Sequence, residues 1–536
     1  MRRPPLPLLA LALAGCAAPM GPSGSDSSFG AGGKADSSAE ATFIDMEFDG
    51  ELVTTSAWSI DQQIETQLLY TVGLLNGERS VSRLDRVQIT NVDTASVEGG
   101  TRVTYHARLP VAWGRRENVP SSYTLRLPRD VSSSGQQSFM DKYGHACVDY
   151  GAHDVDAGIL WYYYRPDRQD CHLEAADIVD VAATVSHSDI ETTGKYPEYH
   201  EVWKDGVLRV VAIFGKYEDG ATANDAGISG YNRFVRAIRD ELSGHSLVTE
   251  PAELPSSVGV ETPEIVLRAS MGEGRDVEVH AMLVDSIQSA DATFNARYAE
   301  LSTRADLIAY NGHSGLGANI RALAREGRWE AEQYVVVFMN GCDTYAYVDA
   351  ALAEAHAAVN PDDPNGTKHL DVVTNAMPSL FSSMPYATMA LVRGLLSYDQ
   401  PRTYEQIFED IDSSQVVLVS GEQDNVYVPG DAPPPPPPGG WTGMEESGTV
   451  AQGEEVRFET PTLTPGRYTF VMDGTGDADL YVRVGTAPTT QVYDCRPYDG
   501  DSTETCEVAL TTEAVVHVMV QGYAASSDWH LVGQPQ

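Results

Sequence analysis

Between residues 205 and 425, short runs of consecutive apolar residues alternate with longer stretches whose apolar positions recur every three or four residues. The runs at 208–214, 265–268, 277–284, 307–310, 334–339 and 370–374 are predicted strands. The stretches at 231–242, 292–305, 318–326, 348–359 and 386–396 are predicted helices. Strands alternating with helices of about ten residues or more imply βαβ units and a mainly parallel α/β sheet. Tyr334-Val335-Val336-Val337-Phe338-Met339 is apolar at every position. That suits a central strand covered on both faces.

Before residue 205 the pattern changes. Residues 41–204 read as an α+β domain of unknown role. The spacing predicts a helix over 60–75, and the alternation at 87–89, 101–109 and 123–127 predicts half-buried strands. Residues 158–165 carry Trp161-Tyr162-Tyr163-Tyr164 and are predicted as a further strand whose rings serve core or interface packing, with a ligand platform as the alternative. This region is either a prodomain, released by self-cleavage near 195–210, or an adhesion module. Residues 205–428 form the α/β domain. Pro433 to Pro438 are six consecutive prolines, followed by Gly439-Gly440. They lie in a linker placed at 429–448, an extended, semi-rigid spacer. Beyond it, 449–536 has Thr, Val and Tyr in short runs with turn residues every eight to ten positions, the pattern of a small β-sandwich or jelly roll.

Length and charge bound the function. A chain of 536 residues is too long for one core, so a multidomain protein is expected. The formal net charge is −41, which excludes nucleic acid as the main partner and docking on anionic lipid through basic patches. At the N-terminus, Arg2 and Arg3 precede a short apolar run that ends by Ala14. It is far below the ~20 residues needed to cross a bilayer and reads as a secretory signal, residues 1–15. Leu13-Ala14-Gly15-Cys16 resembles the lipobox of bacterial lipoproteins, in which the cysteine is lipidated. Ala17 follows, with no Asp to retain the protein at an inner membrane. The resemblance implies an outer-membrane lipoprotein of the cell envelope, attached through its N-terminal lipid only. Residues 16–40, poor in apolar side chains, are expected to be a flexible tether.

Two strand ends carry candidate chemistry. Active sites of open α/β sheets form beyond the carboxyl ends of the strands. One apolar block runs into Asn311-Gly312-His313-Ser314-Gly315, another into Asn340-Gly341-Cys342-Asp343-Thr344. A thiolate is a strong nucleophile once an imidazole takes its proton or stabilises its charge. Peptide N–H groups in the two glycine-containing turns could hold an oxyanion. An apolar block ending in His-x-Gly, then one ending in Gly-Cys, resembles the dyad of the caspase-like cysteine peptidases, which include caspases, legumains, clostripains, gingipains and CHAT domains. The resemblance implies a caspase-like fold, His313 as general acid/base and Cys342 as nucleophile. It also implies an oxyanion hole from the N–H of Ser314 or Gly315 with that of Cys342. The family often has Gly directly after the His, where this chain has Ser314. No specificity residue matches, so substrate preference does not carry over.

Other readings compete. Gly312-His313-Ser314-Gly315-Leu316 resembles the nucleophile elbow of α/β hydrolases and would make Ser314 a serine nucleophile. Leu316 stands where that turn needs a small residue. The loop with Asp362, Asp363, Asn365 and Thr367 reads as a solvated turn in preference to a calcium site. There is no H-E-x-x-H, no C-x-x-C and no phosphate-cradling loop. No cofactor is required by either chemistry.

Gly476-Asp477-Ala478-Asp479-Leu480-Tyr481-Val482, Thr486-Ala487-Pro488-Thr489, Tyr493-Asp494-Cys495-Arg496-Pro497-Tyr498 and Glu504-Thr505-Cys506 form a series. It resembles the bacterial pre-peptidase C-terminal domain over about 449–533. The resemblance implies an accessory role, and makes Asp477 and Asp479 calcium candidates because some members bind that ion. The six cysteines then divide. Cys16 goes to lipid; Cys495 with Cys506 and Cys147 with Cys171 are expected disulfides in an oxidising compartment. Cys342 is left over. The expectation is an exported, lipid-anchored cysteine endopeptidase acting on protein or peptide substrates. Its rivals are a catalytically inactive surface-binding lipoprotein of the same folds and the serine hydrolase. Oligomeric state is left open.

Overall fold

The computed structural model describes residues 35–429 and 441–535, except 56–58, 154, 256, 273, 423–424, 442, 464–465, 499 and 511–513. The expected signal segment, the lipidation site Cys16, most of the expected tether and the proline run lie outside the described residues. The chain divides into two compact units. One comprises 35–202, 208–269 and 277–429; the other takes 203–207, 270–276 and the C-terminal segment.

The first unit is built on two sheets. In the larger, nine described strands lie in the order Ser37–Ser38, Val417–Gly421, Leu370–Asn375, Val335–Asn340, Leu307–Asn311, Val207–Gly215, Arg275–Val284, Glu264–Gly272 and Val248–Glu250. Leu307–Asn311 pairs in parallel with Val335–Asn340 on one side and with Val207–Gly215 on the other. Val335–Asn340 is parallel to Leu370–Asn375. Every residue of these three central strands is buried, as a parallel sheet covered on both faces demands. The covering helices include Ala226–Leu242, Ala318–Glu326 and Met384–Leu396. The first begins where Asp225 accepts the N–H of Ile228, a side-chain N-cap.

The other sheet of this unit has six described antiparallel strands, with Thr42–Thr54 and Gly100–Trp113 at its centre. The helix Ile60–Asn76 lies where the spacing predicts it. The expected boundary near residue 204 separates two sheets, not two compact units. One hydrophobic core runs from Phe43 and Leu74 to Tyr345, Val337 and Leu418. The junction is fastened by Lys195, which is fully buried. Its Nζ lies 2.6 Å from Asp371 Oδ1 and donates to the Gly421 carbonyl at 2.7 Å. The hydroxyls of Tyr334 and Tyr404 donate to Asp371 Oδ2. A buried charge with this many partners is costly to uncover, so the chain is closed to a protease at Lys195.

Two expectations fail locally. Residues 158–165 are not a strand: Leu160–Tyr163 is one turn of helix. The Asp156 carboxylate accepts the N–H of Gly158 and Ile159, which starts the turn. Gly73 then lets the helix Ile60–Asn76 approach this turn, for a Cβ there would overlap the Trp161 carbonyl oxygen. The tether also ends early. Asp36, Ser37 and Ser38 are buried, and Ser37–Ser38 forms an edge strand paired with Val419 and Leu418. It is held by backbone pairing and by the Ser37 and Ser38 hydroxyls, which donate to Glu405 and to the Val417 carbonyl, and not by side-chain hydrophobicity.

The second unit's C-terminal part is a two-sheet β-sandwich. Met444–Ala451, Ser526–Pro535, Gly466–Thr475 and Glu504–Leu510 form one sheet; Glu455–Glu459, Val516–Gly522 and Ala478–Val484 form the other. Phe470, Leu480, Val518 and Leu531 lie in the core between them. Its first strand starts at Met444, inside the segment expected to be linker. Cys147–Cys171 and Cys495–Cys506 are disulfide-bonded, and Cys342 is free.

Candidate active site

The site follows from strand register. Asn311 and Asn340 are paired across adjacent parallel strands. His313 and Cys342 each stand two residues beyond, at the same carboxyl edge, on strands about 4.8 Å apart. The turns touch: a Cβ on Gly341 would lie 2.8 Å from the Gly312 carbonyl oxygen and 3.3 Å from the Ser314 nitrogen. The Gly312 N–H donates to the Asn340 carbonyl at 3.2 Å. Any larger residue at 341 would push the two loops apart.

Beneath the turns is a buried polar network that the sequence reading missed. Asn311, Asn340 and Asn375 end three adjacent strands, and all are buried. Asn340 Nδ2 donates to Asn311 Oδ1 at 2.9 Å. Asn340 Oδ1 accepts from Asn375 Nδ2 at 3.0 Å, Ser379 Oγ at 3.0 Å and Gln415 Nε2 at 3.1 Å. Thr388 Oγ1 donates to Asn311 Oδ1 at 2.7 Å. Buried amides must find partners; these bond to one another and fix the strand ends. The signal was an Asn closing each of three apolar runs.

His313 is exposed. Its Nε2 lies 3.0 Å from the Tyr217 carbonyl oxygen. That bond assigns the proton to Nε2 and leaves Nδ1 as the basic nitrogen. The ring packs against Tyr217 and Phe381, with centroids 5.2 and 5.0 Å away.

Cys342 is partly buried, and its thiol donates to the Ser379 carbonyl at 3.6 Å. Burial, and then the neighbouring Asp343 carboxylate, push the thiol up to about 11. The Ser379 bond and the Tyr162 hydroxyl act in the opposite direction. Among the described residues, no hydrogen bond joins Cys342 to His313, and no acceptor takes the N–H of Ser314, Gly315 or Cys342.

Asp343 was also missed. It is buried in the left-handed region at φ 51°, and neither carboxylate oxygen has a hydrogen bond of good geometry. Burial raises its pKa to about 6, against the pull of Asn76, Tyr162 and Arg165. Those three residues come from the layer of the six-stranded sheet. Arg165 donates to Asn76 Oδ1 at 3.5 Å, and Asn76 Nδ2 to the Ala376 carbonyl at 3.3 Å. Trp161 packs on Tyr347, whose buried hydroxyl is also unpartnered. The aromatic run expected to serve packing therefore also walls the thiol.

Remaining candidates separate from this site. Ser314 is buried with helical dihedrals (φ −68°, ψ −26°), and among the described residues no imidazole bonds its hydroxyl. Those relaxed angles are not the strained turn of a nucleophile elbow. Asp479 is held by Arg496, with both oxygens at 3.0 Å. Asp477 contributes its backbone to turn bonds with Tyr523 and Ala524. Among the described residues no three His, Cys, Asp or Glu side chains converge as metal ligands.

Residues 450–521 match the model of the bacterial pre-peptidase C-terminal domain. The sandwich is such a domain. The curated relatives that the chain resembles share only this part. They include a zinc metalloprotease of Helicobacter pylori, 40% identical over 72 residues, or 13% of this chain and 28% of the relative. They also include a neutral protease of Vibrio proteolyticus, 43% identical over 12% of this chain and 11% of the relative. An alkaline serine exoprotease A of Vibrio alginolyticus is 41% identical over 16% of each. The chain thus spans less than a third of the length of each of these relatives. Among solved structures, the solution structure titled vEP C-ter 100 is 33% identical, covering 17% of this chain and 91% of that one, with a TM-score of 0.16. Among the described residues no helix is long and apolar enough to cross a membrane.

Proposed function

We propose that the protein is an exported cysteine endopeptidase, anchored through lipid on Cys16, with Cys342 as nucleophile and His313 as general acid/base. The observation that carries the reading is the matched delivery of the two residues from register-paired strand ends, beside three N–H groups without protein acceptors. The relatives support proteolysis as the context. Their names span metallo- and serine proteases, so the shared domain does not set the catalytic type.

In this reading His313 Nδ1 takes the Cys342 proton, and Sγ adds to the carbonyl carbon of the scissile bond. The N–H groups of Ser314 or Gly315 and of Cys342 hold the oxyanion. The C–N bond breaks, the amine leaves with the proton from His313, and a thioester remains. Water, deprotonated by His313, cleaves it and restores the thiol. Every step uses side chains and peptide groups of the chain, with no cofactor. Catalytic hydrogen bonds often tighten only with substrate bound, so the absent Cys342–His313 bond fits a resting state.

A second reading is a surface-binding lipoprotein without turnover. The raised thiol and its bond to Ser379 favour it. Incubating the full-length protein with a denatured protein substrate decides between them. The peptidase reading expects new peptides that vanish in Cys342→Ala and His313→Ala but persist in Ser314→Ala. No Cys342-dependent product would leave the binding protein as the better account.

A further inference from the structure

His313 stands in an aromatic cluster. Tyr217 and Phe381 each contact its ring, and they contact each other with centroids 5.5 Å apart. This cluster opens to solvent: Tyr217 is 47% exposed and Leu380, next to Phe381, 59%. Leu316, on the His313 loop, is 43% exposed. The same segment reaches the thiol, since the Ser379 carbonyl that receives Cys342 directly precedes Leu380. Exposed apolar residues scattered singly need no explanation. Here three flank both members of the dyad, where a substrate must lie. Just beyond Tyr217, Glu218 and Asp219 are exposed, and Lys216 on the same loop is already ion-paired with Asp285. An acidic side chain arriving here would meet carboxylates and no free cation of this loop.

We propose that the site selects polypeptides with a bulky apolar side chain, aromatic or branched aliphatic, next to the scissile bond, and that Tyr217, Leu380 and Phe381 form the surface that receives it. This deepens, and rests on, the peptidase reading. Burying that side chain against the cluster spends binding energy beside the general base, so chain length and bulk raise kcat/KM. The cluster also limits how far the His313 ring can swing.

The test is a peptide library digested by the full-length protein, with Cys342→Ala as control and cut sites read by mass spectrometry. Phe, Tyr, Leu or Ile flanking the cut should be enriched at least about tenfold over Ala. Leu380→Ser, an exposed position whose fold circular dichroism can check, should lower the ratio of kcat/KM for Phe over Ala peptides about tenfold. Tyr217→Ser should act in the same direction. Cys342-dependent cuts beside Lys or Arg, pointing to Glu218 and Asp219 instead, would overturn the specificity and leave the peptidase standing. So would cuts beside Asp or Glu, or a flat profile. A library with no Cys342-dependent cuts sinks the peptidase reading itself.

Discussion

His313 and Cys342 leave equivalent positions on adjacent strands, each after an Asn-Gly pair, yet arrive in opposite surroundings. The histidine is open to solvent, and its partners are one carbonyl and two aromatic rings. The cysteine faces inward, toward Asp343, Tyr162 and Tyr347. The register is the same, so the difference comes from what packs on each loop. The His313 side meets the loop after Val207–Gly215, and the Cys342 side meets the layer of the six-stranded sheet. Register alone therefore supplies proximity, while the covering layer decides which protonation state the Cys342 thiol holds.

The largest expected effect tests whether the two sides cooperate at all. Cys342→Ala should lower peptide cleavage by about 10³-fold or more, and His313→Ala should do nearly the same. The double variant should then lose little more than either one, because groups acting as a unit are not additive. A double loss near the product of the single losses would mean that the two residues work independently. Next comes the floor beneath both loops. Asn340→Leu leaves Asn375, Ser379 and Gln415 without their shared acceptor. At about 1–3 kcal/mol per buried polar group left unpaired, unfolding free energy should fall by about 3 kcal/mol or more. Urea denaturation measures it, and a loss under about 1 kcal/mol would show that the network does not hold the strand ends.

Much of the scaffold could be read from the sequence, because continuous apolar runs and helical spacing encode burial directly. The strand ends at Tyr310 and Met339 stood out for that reason, and so did the C-terminal sandwich. What escaped were features with no periodic signature. Ser37–Ser38 joins a sheet through backbone pairing and its serine hydroxyls, neither of which a hydrophobic pattern shows. Leu160–Tyr163 turns because Asp156 caps it, though its composition favours a strand. Asp343 and Tyr162 meet across more than 180 positions of sequence, so no local pattern links them. The candidate positions His313 and Cys342 were visible from spacing, whereas their electrostatics required the tertiary fold.

Asp343 sharpens the contrast through pH. Its folded pKa, about 6, lies above the ordinary value of 3.8. The protonated form is thus favoured by folding. That contribution is fully present below about pH 4 and is lost as pH rises through 6. Asp343→Asn removes the buried charge and keeps a residue that tolerates the left-handed backbone. At pH 7.5 the variant should be more stable than the parent by on the order of 2 kcal/mol, with the gap closing by pH 4. Thermal denaturation at the two pH values would show it. Equal gains at both would detach the effect from ionisation. Iodoacetamide should also react faster with Cys342 in this variant, since a neighbouring negative charge has gone.

The smallest effect separates the covering layer from the carboxylate. Tyr162 comes from the layer of the six-stranded sheet, and its hydroxyl favours the Cys342 thiolate while Asp343 opposes it. Tyr162→Phe keeps the ring that fills the space and deletes only the hydroxyl. The thiol pKa should rise, so alkylation at pH 8.5 should slow by roughly two- to threefold, a fraction of a pKa unit. Asp343→Asn moves the same rate upward, so opposite signs from two neighbours of one sulfur would be hard to attribute to general loosening. If Tyr162→Phe instead speeds alkylation, the hydroxyl was shielding the sulfur. The layer would then act on the cysteine side as a cover and not as a source of polarity.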